Sequence, residues 1–190
     1  SIYCEKNGYQ YFTEGKNLGL SKAYNYSIRQ AKSDFIILLD DDTELNERYF
    51  REAKKAINES AYEIILPIVK ANDIIISPSI VQFGCRVKKI KDVKDIDKKR
   101  ITAINSGMVV KKSVYNKIKY DEKVFLDYLD HDFMRRVRKN NLNIKVMPEA
   151  VIRQNFSMME KKDLEAKKRR FQIYKRDFKI SFKLDSLEKL

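Results

Sequence analysis

Apolar and small residues recur at helical spacing through Leu20, Ala23, Tyr24, Ser27, Ile28 and Ala31, which predicts a helix with one packed face. Gly15-Lys16-Asn17-Leu18-Gly19 supplies turn chemistry ahead of it, and Ser33-Asp34 ends it. The run Phe35-Ile36-Ile37-Leu38-Leu39 then shows no polar alternation, which fits a strand buried on both faces of a largely parallel sheet. Residues 46–60 predict a second helix with Tyr49, Phe50, Ala53, Ala56 and Ile57 inward. Residues 63–69 and 73–77 predict strands whose central pairing Pro67 and Pro78 restrict, and the aromatic residues 9–13 predict a short strand near the start.

Residues 86–100 are charged and lack an apolar face, so they read as an exposed or mobile loop. Strand-like segments 101–104 and 108–110 flank Asn105-Ser106-Gly107, and a short helix follows over 113–118. Residues 127–140 predict a helix with Leu129, Phe133 and Val137 aligned, and 144–147 a strand ended by Pro148. The chain closes on a long basic helix striped with Leu164, Phe171, Tyr174, Phe178 and Phe182. Helices alternating with buried strands indicate an α/β layered domain.

Composition narrows this picture. The 190 residues suit one domain, and 43% apolar content argues against disorder despite the 35% charged fraction. The apolar runs are strand-sized, too short to span a bilayer, and no secretory leader is visible. Cys4 and Cys85 have no framework spacing and read as reduced thiols in a cytoplasmic protein. Ser1 in place of an initiating methionine reads as a portion of a longer chain. The net charge of +13, densest over 88–99 and 161–183, suits nucleic acid, anionic lipid or a phosphorylated substrate, or simply a solvated lysine-rich surface.

Asp40-Asp41-Asp42 changes the picture most. It stands at the carboxyl end of the strand-like run, where open α/β sheets place ligands. Three adjacent carboxylates repel one another, and a divalent cation such as Mn2+ or Mg2+ is the ordinary way to neutralise them. On an extended chain Asp40 and Asp42 point the same way and can share one ion bridging to a diphosphate. The alternative is helix capping, with Asp and Thr43 ahead of the helix near Asn46.

Gly15–Gly19 with Ala23, Asn25 and Ala31, then Phe35 through Thr43, resembles family 2 glycosyltransferases of the GT-A fold. The nearest branch holds rhamnosyltransferases and galactofuranosyltransferases. Ile76-Ser77-Pro78, Asn105 through Val110, and Tyr120 through Asp132 follow in the same order, so the resemblance covers about residues 9–156. It implies a GT-A (Rossmann-like) mixed sheet flanked by helices, followed over 157–190 by a basic amphipathic tail. It implies that Asp40 and Asp42 are the DxD pair binding metal and donor diphosphate, with Asp41 between them. Asp130 would be the general base of an inverting transfer, Asp132 an acceptor-positioning residue, and Arg136 the usual helix arginine. Asn105, Ser106 and Gly107 would form the loop by the donor sugar, Ser106 toward the acceptor, and Asn17 would lie close to the nucleotide. His131 is read as a surface or half-buried histidine, and the acidic group at 127–132 equally suits a helix N-terminus.

Two departures follow from the comparison. The family opens with a βαβ unit of roughly 30 residues, so the reading is of a fold lacking its first βαβ unit, with a sheet edge that another chain in an oligomer could cover. Gln154, beside Asn155, stands where many members carry a metal-binding histidine. The expected partners are a UDP- or dTDP-sugar donor and a saccharide or lipid-linked acceptor in surface polysaccharide assembly, with Mn2+ or Mg2+ as cofactor. The basic tail either lies on an anionic membrane surface, at the inner face of the plasma membrane, or packs on the domain. A nucleic-acid-binding module is the competing class, but the tail's aromatics fall on one helical face, so no nucleic acid is expected. A catalytically inactive assembly partner is the other alternative.

Overall fold

The computed structural model describes residues 2–40, 43–83, 86–154 and 164–182. Asp41, Asp42, Cys85, Asn155, Lys183 and the expected boundary near residue 156 lie outside the described residues. In chain order the elements are α1 (Ile2–Lys6), α2 (Leu20–Gln30), β1 (Phe35–Ile37), β2 (Thr43–Glu44), α3 (Glu47–Asn58), β3 (Ile64–Ala71), β4 (Ile74–Ser77), β5 (Ser79–Gln82), β6 (Arg86–Lys89), β7 (Ile101–Thr102), β8 (Val109–Lys111), α4 (Leu129–Lys139), β9 (Ile144–Gln154) and α5 (Leu164–Phe182).

The main sheet runs β1-β8-β3-β9-β2, with β4 also on β3. It is mixed: β3 and β9 pair parallel, while β1 pairs antiparallel with β8 and the remaining ladders are antiparallel as well. The expectation of a largely parallel sheet is thus corrected, because an apolar run reports burial and carries no information on the direction of its neighbour. Burial also stops sooner than expected, since Leu38 is inside but Leu39 is exposed.

Alternation along β3 feeds two cores. Ile64 and Leu66 face one side, packing with α2 and α4 through Tyr24, Ile28, Phe133 and Val137. Ile65 and Val69 face the other, under α3 with Tyr49, Ala53, Ala56 and Ile152. Each fully buried aliphatic side chain here stabilises the fold by about 1.5–3 kcal/mol. Phe50, expected inward, is exposed and only edges against Tyr49. One helical step carries it past the apolar stripe.

Pro67 and Pro148 sit inside strands, so Pro148 does not end its strand as expected. Pro67 pairs with Met147, the next pair is Ile68 with Val151, and Pro148, Glu149 and Ala150 bulge out between. An irregularity is where a strand tolerates a residue without an N–H. Residues 86–100 are corrected from loop to structure: β6 joins β5 and β7 in a second, antiparallel sheet, and a 3-10 turn follows at Val93–Asp95. Backbone pairing needs no apolar face, and charged side chains are common on an edge strand. The expected strand at 9–13 does not form; Phe12 instead packs edge-on against Tyr26 of α2.

Candidate active site

Asp40 follows β1 at the sheet's carboxyl end. Its carboxylate accepts hydrogen bonds from the Ser106 hydroxyl, from Gln154 Nε2 at 3.1 Å and from the Tyr24 hydroxyl at 3.3 Å. Four elements therefore converge on one carboxylate: β1, α2, the turn before β8 and the last residue of β9. The capping alternative gives way here. Asn46 caps α3 itself, its Oδ1 accepting from the Tyr49 N–H at 2.9 Å while its Nδ2 donates to the Val151 carbonyl.

The turn at 105–107 is built for this convergence. Gly107 has φ +72°, its N–H donates to the Leu38 carbonyl at 3.0 Å, and its own carbonyl accepts from the buried Tyr49 hydroxyl at 2.8 Å. Those bonds dock the turn onto the end of β1 and aim Ser106, which is fully buried, at Asp40. Behind it Asn105 accepts from the Tyr120 hydroxyl at 2.7 Å. Asn25 pairs both ways with the Tyr120 backbone, at 2.9 and 3.0 Å. A closed polar network of this kind holds its members in one arrangement.

Tyr24 is hydrogen-bonded to Asp40 and also feels the charge of Asp130. Burial, then the negative charge of Asp40, then that of Asp130, drive its hydroxyl far above the ordinary tyrosine range, so it stays a proton donor. Asp130 lies in the first turn of α4, half-buried, with one oxygen accepting the His131 N–H at 2.7 Å. Asp132 turns inward instead, paired with Arg135 and, at 2.6 Å, with Arg136, which also donates to the Lys119 carbonyl. His131 is half-buried, its Nδ1 2.7 Å from the Thr102 hydroxyl.

A cleft of about 630 Å³ opens beside α2, lined by Tyr11, Phe12, Lys16, Asn17, Tyr26 and Phe125. Asn17 sits in its wall, its Oδ1 accepting the Gly19 N–H at 2.9 Å. Ala23 of α2 lines the same cleft.

For a divalent cation, the side chains around Asp40 are of the right kind. A carboxylate, a hydroxyl and an amide are all oxygen donors suited to a hard ion, and turning the Gln154 amide over would present oxygen where nitrogen now points. Asp42, the other expected ligand, and Asp41 lie outside the described residues. Reading the chain alone passed over Tyr24, taken only as a packed face residue. The signal was a tyrosine at a helical step that buries its hydroxyl, which needs a partner.

A mixed sheet with an acidic strand end, a buried serine turn opposite and a second carboxylate on a following helix define a GT-A type transferase domain. The family model for glycosyl transferase family 2 matches residues 3–119, and the chain belongs to that family. An uncharacterized glycosyltransferase of Methanocaldococcus jannaschii is 25% identical over 142 residues, covering 73% of this chain and 47% of that protein. The chain thus spans about half the length of that curated relative. Among solved structures, S. aureus TarS 1-349 in complex with UDP-GlcNAc superposes with TM-score 0.56 at 16% identity, over 81% of this chain and 45% of that one. GalNAc-T7 with UDP, GalNAc and Mn2+ gives TM-score 0.62 at 11% identity, over 80% and 34%. These likenesses show the fold.

Proposed function

We propose that this domain transfers a sugar, with inversion, from a UDP- or dTDP-sugar to a hydroxyl of a saccharide or lipid-linked acceptor. The observation that supports it most is the convergence of Ser106, Gln154 and Tyr24 on Asp40 at the end of β1. The cleft beside Asn17 suits the nucleotide, and relatives of this fold hold UDP, UDP-GlcNAc and Mn2+. Asp40, with Asp42, would hold Mn2+ or Mg2+. When bound, such an ion neutralises the diphosphate and makes it a better leaving group.

Asp130 takes the proton from the acceptor hydroxyl as its oxygen attacks the anomeric carbon. Tyr24, held protonated, keeps Asp40 oriented and does not compete as a base. Gly107 contributes the turn, both of its backbone polar groups being used inside the protein, and Ser106 presents the hydroxyl. Asp132 would act on an acceptor through Arg135 and Arg136, whose side chains are both part-exposed. A panel of UDP- and dTDP-sugars offered to the full-length protein with Mn2+ or Mg2+ is expected to show turnover of at least one donor. Turnover of none would leave the inactive assembly partner standing.

Gln154→His replaces an amide by a stronger ligand for Mn2+. Calorimetric titration is expected to show roughly tenfold tighter Mn2+ binding, in the range that ligand-shell changes produce. Unchanged affinity would remove residue 154 from the metal site.

On α5, Leu164, Lys167, Lys168, Phe171 and Lys175 share an exposed face by helical spacing. This face suits an anionic lipid surface near a lipid-linked acceptor, and among the described residues no helix is long and apolar enough to cross a membrane. Reversing Lys167 and Lys175 to Glu is expected to weaken flotation with anionic vesicles by roughly tenfold or more, at about 1 kcal/mol per basic residue near the surface. Equal flotation of both proteins would assign the face to solvent.

A further inference from the structure

Between Arg169 and Lys183 the chain carries a single acidic residue, Asp177, among many basic ones. It is fully buried. Its carboxylate accepts three consecutive backbone N–H groups, from Phe125 at 3.1 Å, Leu126 at 2.7 Å and Asp127 at 3.0 Å. Arg176 of the same helix adds two more bonds to Oδ1, from Nε at 3.2 Å and Nη2 at 3.1 Å, and lies over the Phe125 ring. The rest of the segment is held by α5 as well. Arg170 grips the Asp127 carboxylate with two N–H groups, one of them at 2.7 Å. Tyr128 is surrounded by Tyr174, Phe178 and Phe182, and its hydroxyl meets that of Tyr174.

What this segment touches gives the clamp its meaning. The Phe125 carbonyl accepts the Leu20 N–H at 2.6 Å, and the Phe125 ring and carbonyl lie so close to Gly19 that a Cβ there would approach within 2.6 Å of the ring. Phe125 and Leu126 themselves line the cleft beside Asn17. At the other end Tyr128, with φ +62°, is the N-cap of α4, and its carbonyl accepts the Asp132 N–H at 2.8 Å, fixing the turn that carries Asp130. One four-residue loop thus forms a cleft wall and aims the carboxylate proposed as base, and every residue in it is held by α5.

We propose that Asp177 is a positioning residue: by accepting three N–H groups it orders residues 125–128, and through them sets both the cleft wall and Asp130. The catalytic part of this rests on the glycosyltransferase reading above; the ordering part does not. α5 is accordingly a component of the active domain, whatever else its outer face contacts.

Asp177→Asn is the discriminating change. It keeps the shape, but one of its two positions becomes an NH2 facing N–H donors, so bonds to Phe125 or to Leu126 and Asp127 are lost. In the full-length protein, amide hydrogen exchange at 125–127 is expected to rise at least tenfold while exchange in β3 and β9 stays unchanged. With a turned-over donor, kcat is expected to fall roughly 10–100-fold, the scale of a small misplacement of a reacting group, with the donor KM changed much less. Arg170→Gln, which frees Asp127 from a part-exposed partner, is expected to move both readouts in the same direction by a smaller amount, and serves if Asp177→Asn does not fold. Unchanged exchange at 125–127 overturns the clamp. Raised exchange with unaltered kcat overturns its link to Asp130. If the wild-type protein turns over no donor, the transferase reading falls, and the exchange measurement alone still decides whether Asp177 orders the loop.

Discussion

Asp130→Asn is expected to lower sugar transfer by about 10³-fold, within the range a positioned general base contributes, while leaving donor affinity within a few-fold of wild type. The amide has nearly the volume of the carboxylate and its oxygen can still accept the His131 N–H that Asp130 now accepts at 2.7 Å, so the first turn of α4 is preserved. What disappears is the ability to remove a proton from the acceptor. The proposed donor contacts are instead Asp40, which Tyr24 and Ser106 hold, and the cleft beside α2. Release of the nucleoside diphosphate in the presence of acceptor measures the first quantity, and calorimetry with the donor the second. A variant that retained transfer within a few-fold of wild type would place the base elsewhere.

Gly107→Ala is expected to be strongly destabilising. The residue holds φ +72°, and an added Cβ would lie 2.7 Å from Ile152 Cδ1 and 3.1 Å from Pro67 Cγ. Backbone strain and overpacking act together, at about 3 kcal/mol in sum. For a chain of this size that corresponds to a melting temperature lower by roughly 6–12 °C. Activity would fall as well, because the same turn presents Ser106 to Asp40. Thermal unfolding followed by circular dichroism tests it. A melting temperature within about 2 °C of wild type would show that Ile152 and Pro67 can yield, and that the glycine is not required by packing.

These two residues show how differently the site could be read in advance. Asp130 was visible through an ordered resemblance of motifs, Tyr120 through Asp132, although by itself it looks like any acidic helix start. The resemblance puts Gly107 in the loop expected by the donor sugar, and its placement is explained by its closeness to Pro67 and Ile152, residues distant in the chain. Gln154 stood out as a departure from the family pattern, and the structure sets it 3.1 Å from the Asp40 carboxylate. Asp132 was assigned to the acceptor, and lies buried between two arginines of its own helix. An i,i+3 and i,i+4 arrangement of Asp with Arg permits that pairing, and only packing decides whether the carboxylate turns in or out.

Local pattern was sound wherever one segment settles its own state: α2, α3 and α4 lie where apolar spacing put them, within two residues at each end. It failed where a partner decides. Residues 9–13 have strand-like composition and no strand to pair with, while 86–89 have none of that composition and pair fully with β5. Pro67 reads as limiting pairing and Pro148 as a strand end, and both become compatible with pairing at one bulge.

By itself, then, the sequence determined the α/β class, the helices, the acidic strand end at Asp40 and the family. Those follow from periodicity, side-chain chemistry and motif order, all of which are properties of neighbouring residues. The tertiary structure alone decided the antiparallel seat of β1, the closure of Ser106, Gln154 and Tyr24 on one carboxylate, and the grip of Asp177 on the loop ahead of Asp130. Each joins groups well separated in the chain, from 16 positions for Tyr24 and Asp40 to 114 for Gln154 and Asp40. Hydrogen bonds of that range are selected by the packing of whole layers, which no local pattern records.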